Sequence, residues 1–183
     1  MSAWLKALKA LTEKSPDDDE LDLVTKEASN STSDRAMALM NASLVDAALQ
    51  TLIKGHLVPM SKEELASLFE RDGPLSSFSK LIRVSFAFGM INDEMKRNLN
   101  IVRELRNTFA HSRIFITFET PAIATACGLL TQWYTEYKDV PHDKDHPRTK
   151  YLGASSRLIS VLGRANFAHR TGKLVEFPLR FGK

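Results

Sequence analysis

Apolar residues in this chain recur three and four positions apart over long stretches, and short polar or glycine- and proline-bearing breaks separate those stretches. Met37, Met40, Leu44, Ala48 and Leu52 predict one apolar stripe on a long helix from about Asp34 to His56. Ser61, followed three residues later by Glu64, is a capping-box pattern that opens a short helix through Phe69. Arg71-Asp72-Gly73-Pro74 must end it, because proline and glycine disfavour continuation. A further helix is expected from about Leu75 to Phe88, with Gly89 as its stop. Asn92 caps the next, in which Met95, Leu99, Val102, Leu105 and Phe109 point inward.

The stretch RIFITFE (113–119) has extended character but no second strand to pair with. It reads as an extended connector, with a short hairpin as the alternative. Thr120-Pro121 begins a helix through about Tyr137, with proline at the tolerated first position. DVPHDKDHPRTK (139–150) reads as a polar loop, followed by a final helix from about Tyr151 to Phe167 and an irregular tail. The fold class is therefore all-α, a helical bundle.

At the N-terminus, Trp4, Leu5, Leu8 and Leu11 share one face of an amphipathic helix over residues 1–14. Docking on the domain or on a second subunit is the favoured reading, and a membrane-surface anchor the alternative. KSPDDDELD after it is an acidic linker. A chain of 183 residues buries one core, so the organisation expected is a single domain over 1–183. Within it, 33–137 forms the core unit and 150–183 the C-terminal helix and tail.

Hydrophobic residues make up 43% and charged residues 26%, which excludes neither a soluble protein nor much else. The net charge of +3 and pI near 9.0 allow a nucleic-acid partner without requiring one. Cys127 is the only cysteine, so there is no intramolecular disulfide and no cysteine metal cluster. Its apolar surroundings, AIATACGLL, predict a buried thiol. No run approaches the roughly 18 apolar residues of a membrane span, and the N-terminus lacks the form of a secretory signal. The expected compartment is the cytoplasm, with no membrane contact.

The chemistry concentrates in RELRNTFAHS (103–112), where Arg103, Arg106, Asn107 and His111 lie at one helix end. Such a cluster suits an anion, and cations there also complement the helix dipole, a purely structural reason for them. It could also cleave RNA. A histidine can exchange a proton with a ribose hydroxyl or leaving oxygen, and an arginine can stabilise charge on phosphorus oxygens. Neither step needs a metal, and no metal or cofactor is expected. On a straight helix, however, Arg106 and His111 point about 140° apart, so convergence needs a frayed helix end or a second subunit. Asp46, on the long apolar helix, could pair with one of the arginines. Asp34 and Arg35 either cap that helix or face the His111 end across the bundle.

The spacing R-x4-H recurs in GRANFAHR as Arg164 and His169, beside Arg170 and Lys173. Twelve arginines and five histidines predict about 0.3 such matches by chance, and the sequence has two. This second match is either a basic solvated tail or an additional set of phosphate contacts next to the first. His142 and His146 are four apart, but the prolines around them argue against the helix that would align them on a metal. Trp133, Tyr134 and Tyr137 read as core or interface.

RNTFAH resembles the R-N-x-x-x-H signature of the HEPN superfamily, which implies a helical domain whose nuclease members cut RNA without metal, usually as dimers. SDRAMALMNASLVDAALQTLI (33–53) and LFERDGPLSSFSKLIRVSFAFGMINDEMKRNLNIVRELRNTFAHS (68–112) resemble the mannitol operon repressor (MtlR-like) family of bacterial regulators. The matching pieces are Asp34-Arg35, the block Leu68 to Arg83, the F-G-M-I turn, and the helix ending in Arg106 and His111. Lys80-Leu81-Ile82-Arg83 carries one apolar residue more than the family's usual step. This resemblance implies a HEPN-like or MtlR-like bundle with an extra N-terminal helix, and a homodimer acting in transcriptional regulation. A helix-turn-helix has only one candidate, the pair around Glu63–Phe69 and Leu75–Phe88, and its second helix looks too apolar to read DNA. Contact with another regulatory protein is therefore the expected route. The alternative is a metal-independent endoribonuclease of toxin or defence type. In that reading Arg106, Asn107 and His111 are catalytic, and Arg103, Arg35, Arg164 and His169 bind anion or RNA.

Overall fold

The computed structural model describes residues 32–70, 72–131 and 145–171, together with the isolated positions Asp19, Leu23 and Lys26. The N-terminal amphipathic stretch 1–14, the aromatic trio Trp133, Tyr134 and Tyr137, His142 and the tail beyond 171 lie outside the described residues. Six helices are described: α1 Asp34–His56, α2 Lys62–Phe69, α3 Phe78–Ala87, α4 Asp93–His111, α5 Pro121–Gly128 and α6 Pro147–Thr171. No strand occurs among the described residues, so the class is all-α and 113–119 is a connector rather than a hairpin.

Helix α1 is the hub, packing along α6 and also touching α4 and α3. Having neighbours on several sides widens its buried face beyond one stripe. Met37, Ala38, Asn41, Ala42, Val45, Leu49, Leu52 and Ile53 are buried, whereas Met40, Leu44 and Ala48 of the expected stripe are only half covered. By length and composition α1 could also cross a membrane, which the sequence reading did not anticipate. Here its apolar face is closed by α3, α4 and α6, as suits a core helix. On α4, all five expected inward residues, Met95, Leu99, Val102, Leu105 and Phe109, are buried.

Caps set the helix ends. Ser33 accepts from Ala36 N at the start of α1, Ser61 and Glu64 form the reciprocal capping box of α2, and Asn92 accepts from Met95 N at α4. Helix α3 begins later than expected, at Phe78, because Ser77 caps it. Gly89 takes φ +69° just past α3, a conformation that costs glycine nothing. Helix α6 begins earlier than expected, at Pro147. The His146 ring Nδ1 accepts from Arg148 N at 3.2 Å, and proline's fixed φ suits the first helical position. That acceptor role puts the His146 proton on Nε2, which donates to Glu119 Oε1 at 3.3 Å. Helix α5 stops at Gly128, well short of Tyr137.

Hydrogen bonds fix the direction of the bundle. Tyr151, near the start of α6, donates to Ala38 O, near the start of α1, at 2.8 Å. At the opposite ends, the rings of His56 and His169 stack 3.7 Å apart. Helices α1 and α6 therefore run parallel. The C-terminal end of α4 lies at the start of α1, where Arg35 donates to Ser112 O and Ile114 O, both at 3.2 Å. Asp34 accepts from Phe118 N at 2.8 Å and from Arg148 Nη1 at 3.0 Å. The Phe118 ring, fully buried, meets Phe109 of α4 at 5.0 Å and Tyr151 of α6 at 5.1 Å. One residue after another, the first turn of α1 thus fastens the connector to both long neighbours.

The Asp72-Gly73-Pro74 break is a tight return. Gly73 N donates to Glu70 O at 2.9 Å, Leu75 N donates to Leu68 O at 2.8 Å, and Lys80 Nζ donates to Gly73 O at 3.0 Å. A Cβ on Gly73 would collide with the backbone carbonyls of Ser67 and Leu68, which cannot swing away. Gly73→Ala is expected to destabilise the fold by roughly 2–3 kcal/mol in urea unfolding, the range of an overpacked backbone contact. Asp34→Ala removes a charged acceptor from two donors and is expected to cost about 2 kcal/mol in the same measurement. Asp34→Asn keeps an acceptor for Phe118 N and is expected to cost less than half as much.

Candidate functional site

Helix α4 is regular α-helix through His111, and Ser112 closes it by donating its N–H to Thr108 O at 3.0 Å. The helix end does not fray, so within one chain Arg106 and His111 stay on different faces, about 140° apart. Arg106 and His111 are exposed and Asn107 is half-buried. Arg106 Nη1 donates to Asn107 Oδ1 at 3.2 Å. Behind them, on α1, the Asp46 carboxyl is pushed up by burial, against a hydrogen bond from Gln50 and the charge of Arg106. The Arg106 charge thus reaches Asp46 without an ion pair or hydrogen bond between them, and burial is the stronger influence on it.

The other residues expected at the site divide into two groups. Arg103, half-buried, pairs with its neighbour Glu104, and its Nε is buried without a hydrogen-bond partner. Arg35 is engaged by the two connector carbonyls, which matches a cation placed beside a helix C-terminus. Arg164 and His169 are elsewhere. Because α1 and α6 run parallel and α4 ends at the start of α1, the second R-x4-H lies at the far end of the bundle. The 23 residues of α1 separate it from His111 by roughly 30 Å. Within one chain, then, Arg164 and His169 do not add contacts next to the first motif. Arg164 instead donates back to Ser160 O at 3.3 Å.

The sequence reading missed the most exposed feature of this end. Arg113, Ile114 and Phe115 follow Ser112, the residue that caps α4, and Ile114 is 72% and Phe115 91% exposed. Ile116 and Phe118, one and three residues beyond Phe115, are buried. The buried pair pins the connector while Arg35 holds Ile114 O, so the two apolar side chains between are displayed outward beside Arg113 and His111. Two adjacent exposed apolar side chains beside an arginine are a candidate contact surface. The RIFITFE pattern holds the apolar residues but not the information about which face the anchor leaves outside.

Two further observations bear on chemistry. An open groove of about 330 Å³ runs between α4 and α5, lined by Ile101, Glu104, Leu105, Thr108, Ile123 and Ala126 among others. It contains no histidine or arginine. The helix-turn-helix candidate is α2 and α3, and α3 buries Phe78, Leu81, Ile82 and Ser85 against α1 and α4. A recognition helix must offer polar side chains to a groove of DNA; on α3 Arg83 is the exposed charged residue, and Lys80 is held by Gly73 O and Ser76 Oγ. Cys127 is fully buried, and burial pushes its thiol up to about 12, so it stays protonated and unreactive.

No family model matches the chain, and no curated protein does. Among solved structures it is similar to MtlR in the X-ray structure of the MtlR–HPr complex from Escherichia coli. The match covers 78% of this chain and 97% of that chain, with a TM-score of 0.62 and 18% identity. The protein therefore shares the all-helical fold of MtlR.

Proposed function

We propose that this protein is a bacterial regulator of the mannitol-repressor type, acting in the cytoplasm through contact with another protein. The observation that carries this reading is the Arg113-Ile114-Phe115 ledge, apolar and exposed beside the cationic end of α4. Two further points support it. The fold is like that of MtlR, a protein crystallised with a protein partner, HPr. The helix that would read DNA commits its apolar face to the core. A partner suited to the ledge offers an apolar hollow with acidic residues around it, so that Phe115 fills the hollow and Arg113 meets the rim.

A second reading rests on a separate observation. Arg106, Asn107 and His111 all have access to solvent. In a homodimer meeting at these helix ends, Arg106 of one copy would face His111 of the other, the arrangement a metal-independent endoribonuclease needs. Arg106 would stabilise the charge on the phosphorus oxygens and His111 would move the proton. The first reading is favoured because it uses a surface present in a single chain.

Titration with purified HPr tests the protein-contact reading. Wild type is expected to bind, and Phe115→Asp to weaken binding by at least about tenfold with its fold intact, as for a central interface anchor. Absence of binding by wild type, or equal binding by Phe115→Asp, would argue against it. Incubation with a mixed RNA pool in EDTA tests the rival: intact RNA is expected. Cleavage that is lost in both His111→Ala and Arg106→Ala would make the nuclease reading the correct one.

A further inference from the structure

The open groove between α4 and α5, about 330 Å³ in volume, has an apolar floor. Leu105 and Ile123, both buried, form it, with Ile101 and Ala126 half-buried beside them. Ala122 on α5 and Glu104 on α4 are exposed at its rims. The polar side chains that line it are turned back onto their own helix: Asn100 Nδ2 donates to Lys96 O and Thr108 Oγ1 donates to Glu104 O. Glu104, which also meets Arg103, is the charged residue of the lining. A small-molecule site has a few polar groups converging on its ligand, and this groove has none aimed into it. An apolar trench along a pair of helices instead fits the apolar face of a third.

The chain carries such a face at its N-terminus. On a helix, Trp4, Leu5, Leu8 and Leu11 fall within an arc of about 120°, with Lys9 and Lys14 just outside its two edges. So short a helix is marginal in water unless its apolar face is covered. The lengths agree: Trp4 to Leu11 and Ile101 to Thr108 each span about 10 Å of helix axis. So does the path of the chain. Arg35, at the start of α1, donates to Ser112 O, so the residues before α1 reach the bundle at the end where the groove opens, one turn beyond Thr108. Residues 15–31 bridge the interval, because even wholly helical they would reach about 25 Å, more than the roughly 18 Å from Ser112 back to Asn100. Asp19, Leu23 and Lys26 within that stretch are exposed, which leaves the groove to residues 1–14. The C-terminal tail departs from the opposite end, beside His56.

We propose that residues 1–14 dock as a helix in the α4–α5 groove of their own chain. Trp4, Leu8 and Leu11 enter the groove over Leu105 and Ile123, and a lysine at the edge of the apolar face meets Glu104. The small side chains of Ala122 and Ala126 let the helix approach α5 closely. The tether favours the same chain over a second copy, because a short linker gives the segment a high effective concentration at a groove within its reach. A membrane surface competes poorly, since one short amphipathic helix binds it weakly. Docking would also cover α5, an eight-residue helix held in the described fold by α4 and α6 alone. The inference is independent of the partner proposed for the ledge.

The test is disulfide trapping in the full chain, where the native Cys127 is buried and does not interfere. Leu8→Cys and Leu11→Cys are each combined with Ala122→Cys, and Leu8→Cys with Val58→Cys, an exposed position at the far end of the bundle, serves as the control. Under mild oxidation at least one groove pair is expected to close within a single chain, seen as a faster monomer band without reductant, while the control stays open. A dimer-sized band instead would put the segment on a second copy, and closure of neither groove pair, or equal closure of the control, would equally overturn the proposal. Trp4 emission gives a second readout in a Trp133→Phe chain, where Trp4 is the only tryptophan left. Emission at the short wavelengths of a buried indole is expected, moving to those of an exposed one when Ala122→Arg blocks the groove with helix content unchanged. Exposed emission from the start, a blue shift only on adding anionic lipid vesicles, or no response to Ala122→Arg would contradict docking.

Discussion

The structure depends on how Phe118 is held. Its ring is buried between Phe109 and Tyr151, and its backbone N–H donates to the Asp34 carboxylate, which also receives Arg148. A single residue of a connector with no secondary structure thereby joins α1, α4 and α6. A buried backbone donor must be paired, and a charged acceptor satisfies it more strongly than a neutral one. The ring contributes apolar burial at the same point, so the polar and apolar requirements of the connector are met by one residue and its neighbours. Arg35, beside Asp34, completes the hold by taking the carbonyls of Ser112 and Ile114.

That fastening has a consequence for function. With Ile116 and Phe118 turned into the core and Ile114 O held, Ile114 and Phe115 have nowhere to go but outward. The same geometry ends α4 cleanly at His111, which keeps Arg106 and His111 on separate faces of one chain. The exposed apolar pair proposed as a partner surface is therefore complete in the single chain. A catalytic pair would require a second copy to assemble it. Helix α3 turns Phe78, Leu81, Ile82 and Ser85 into the core, and the proposed function rests on the connector instead.

Much of this was legible from residue pattern. The limits of α1 and α2, the Asn92 cap, the inward face of α4 and the Cys127 burial all follow from local rules, because caps and helical spacing are local properties. What the pattern did not carry was tertiary. The stripe on α1 was misplaced because α1 has neighbours on several sides, which no single-helix period encodes. The start of α6 at Pro147 depends on the His146 ring serving as its cap, a role hidden in what reads as a polar loop. The two R-x4-H matches looked like one kind of site in sequence. Parallel packing of α1 and α6 puts them at opposite ends, and His169 belongs with His56 instead. The exposed ledge was invisible for the same reason: apolar residues in a row do not reveal which of them an anchor elsewhere will bury.

The central claim is that the connector after α4 is a partner surface displayed by its anchor. Amide hydrogen exchange of the full chain, with and without saturating HPr, tests it most directly. The account predicts new protection concentrated in residues 112–116 and the exposed end of α4, with the far end around His56 and His169 unchanged. Protection centred on α2 and α3, or on the His56–His169 end, would contradict it.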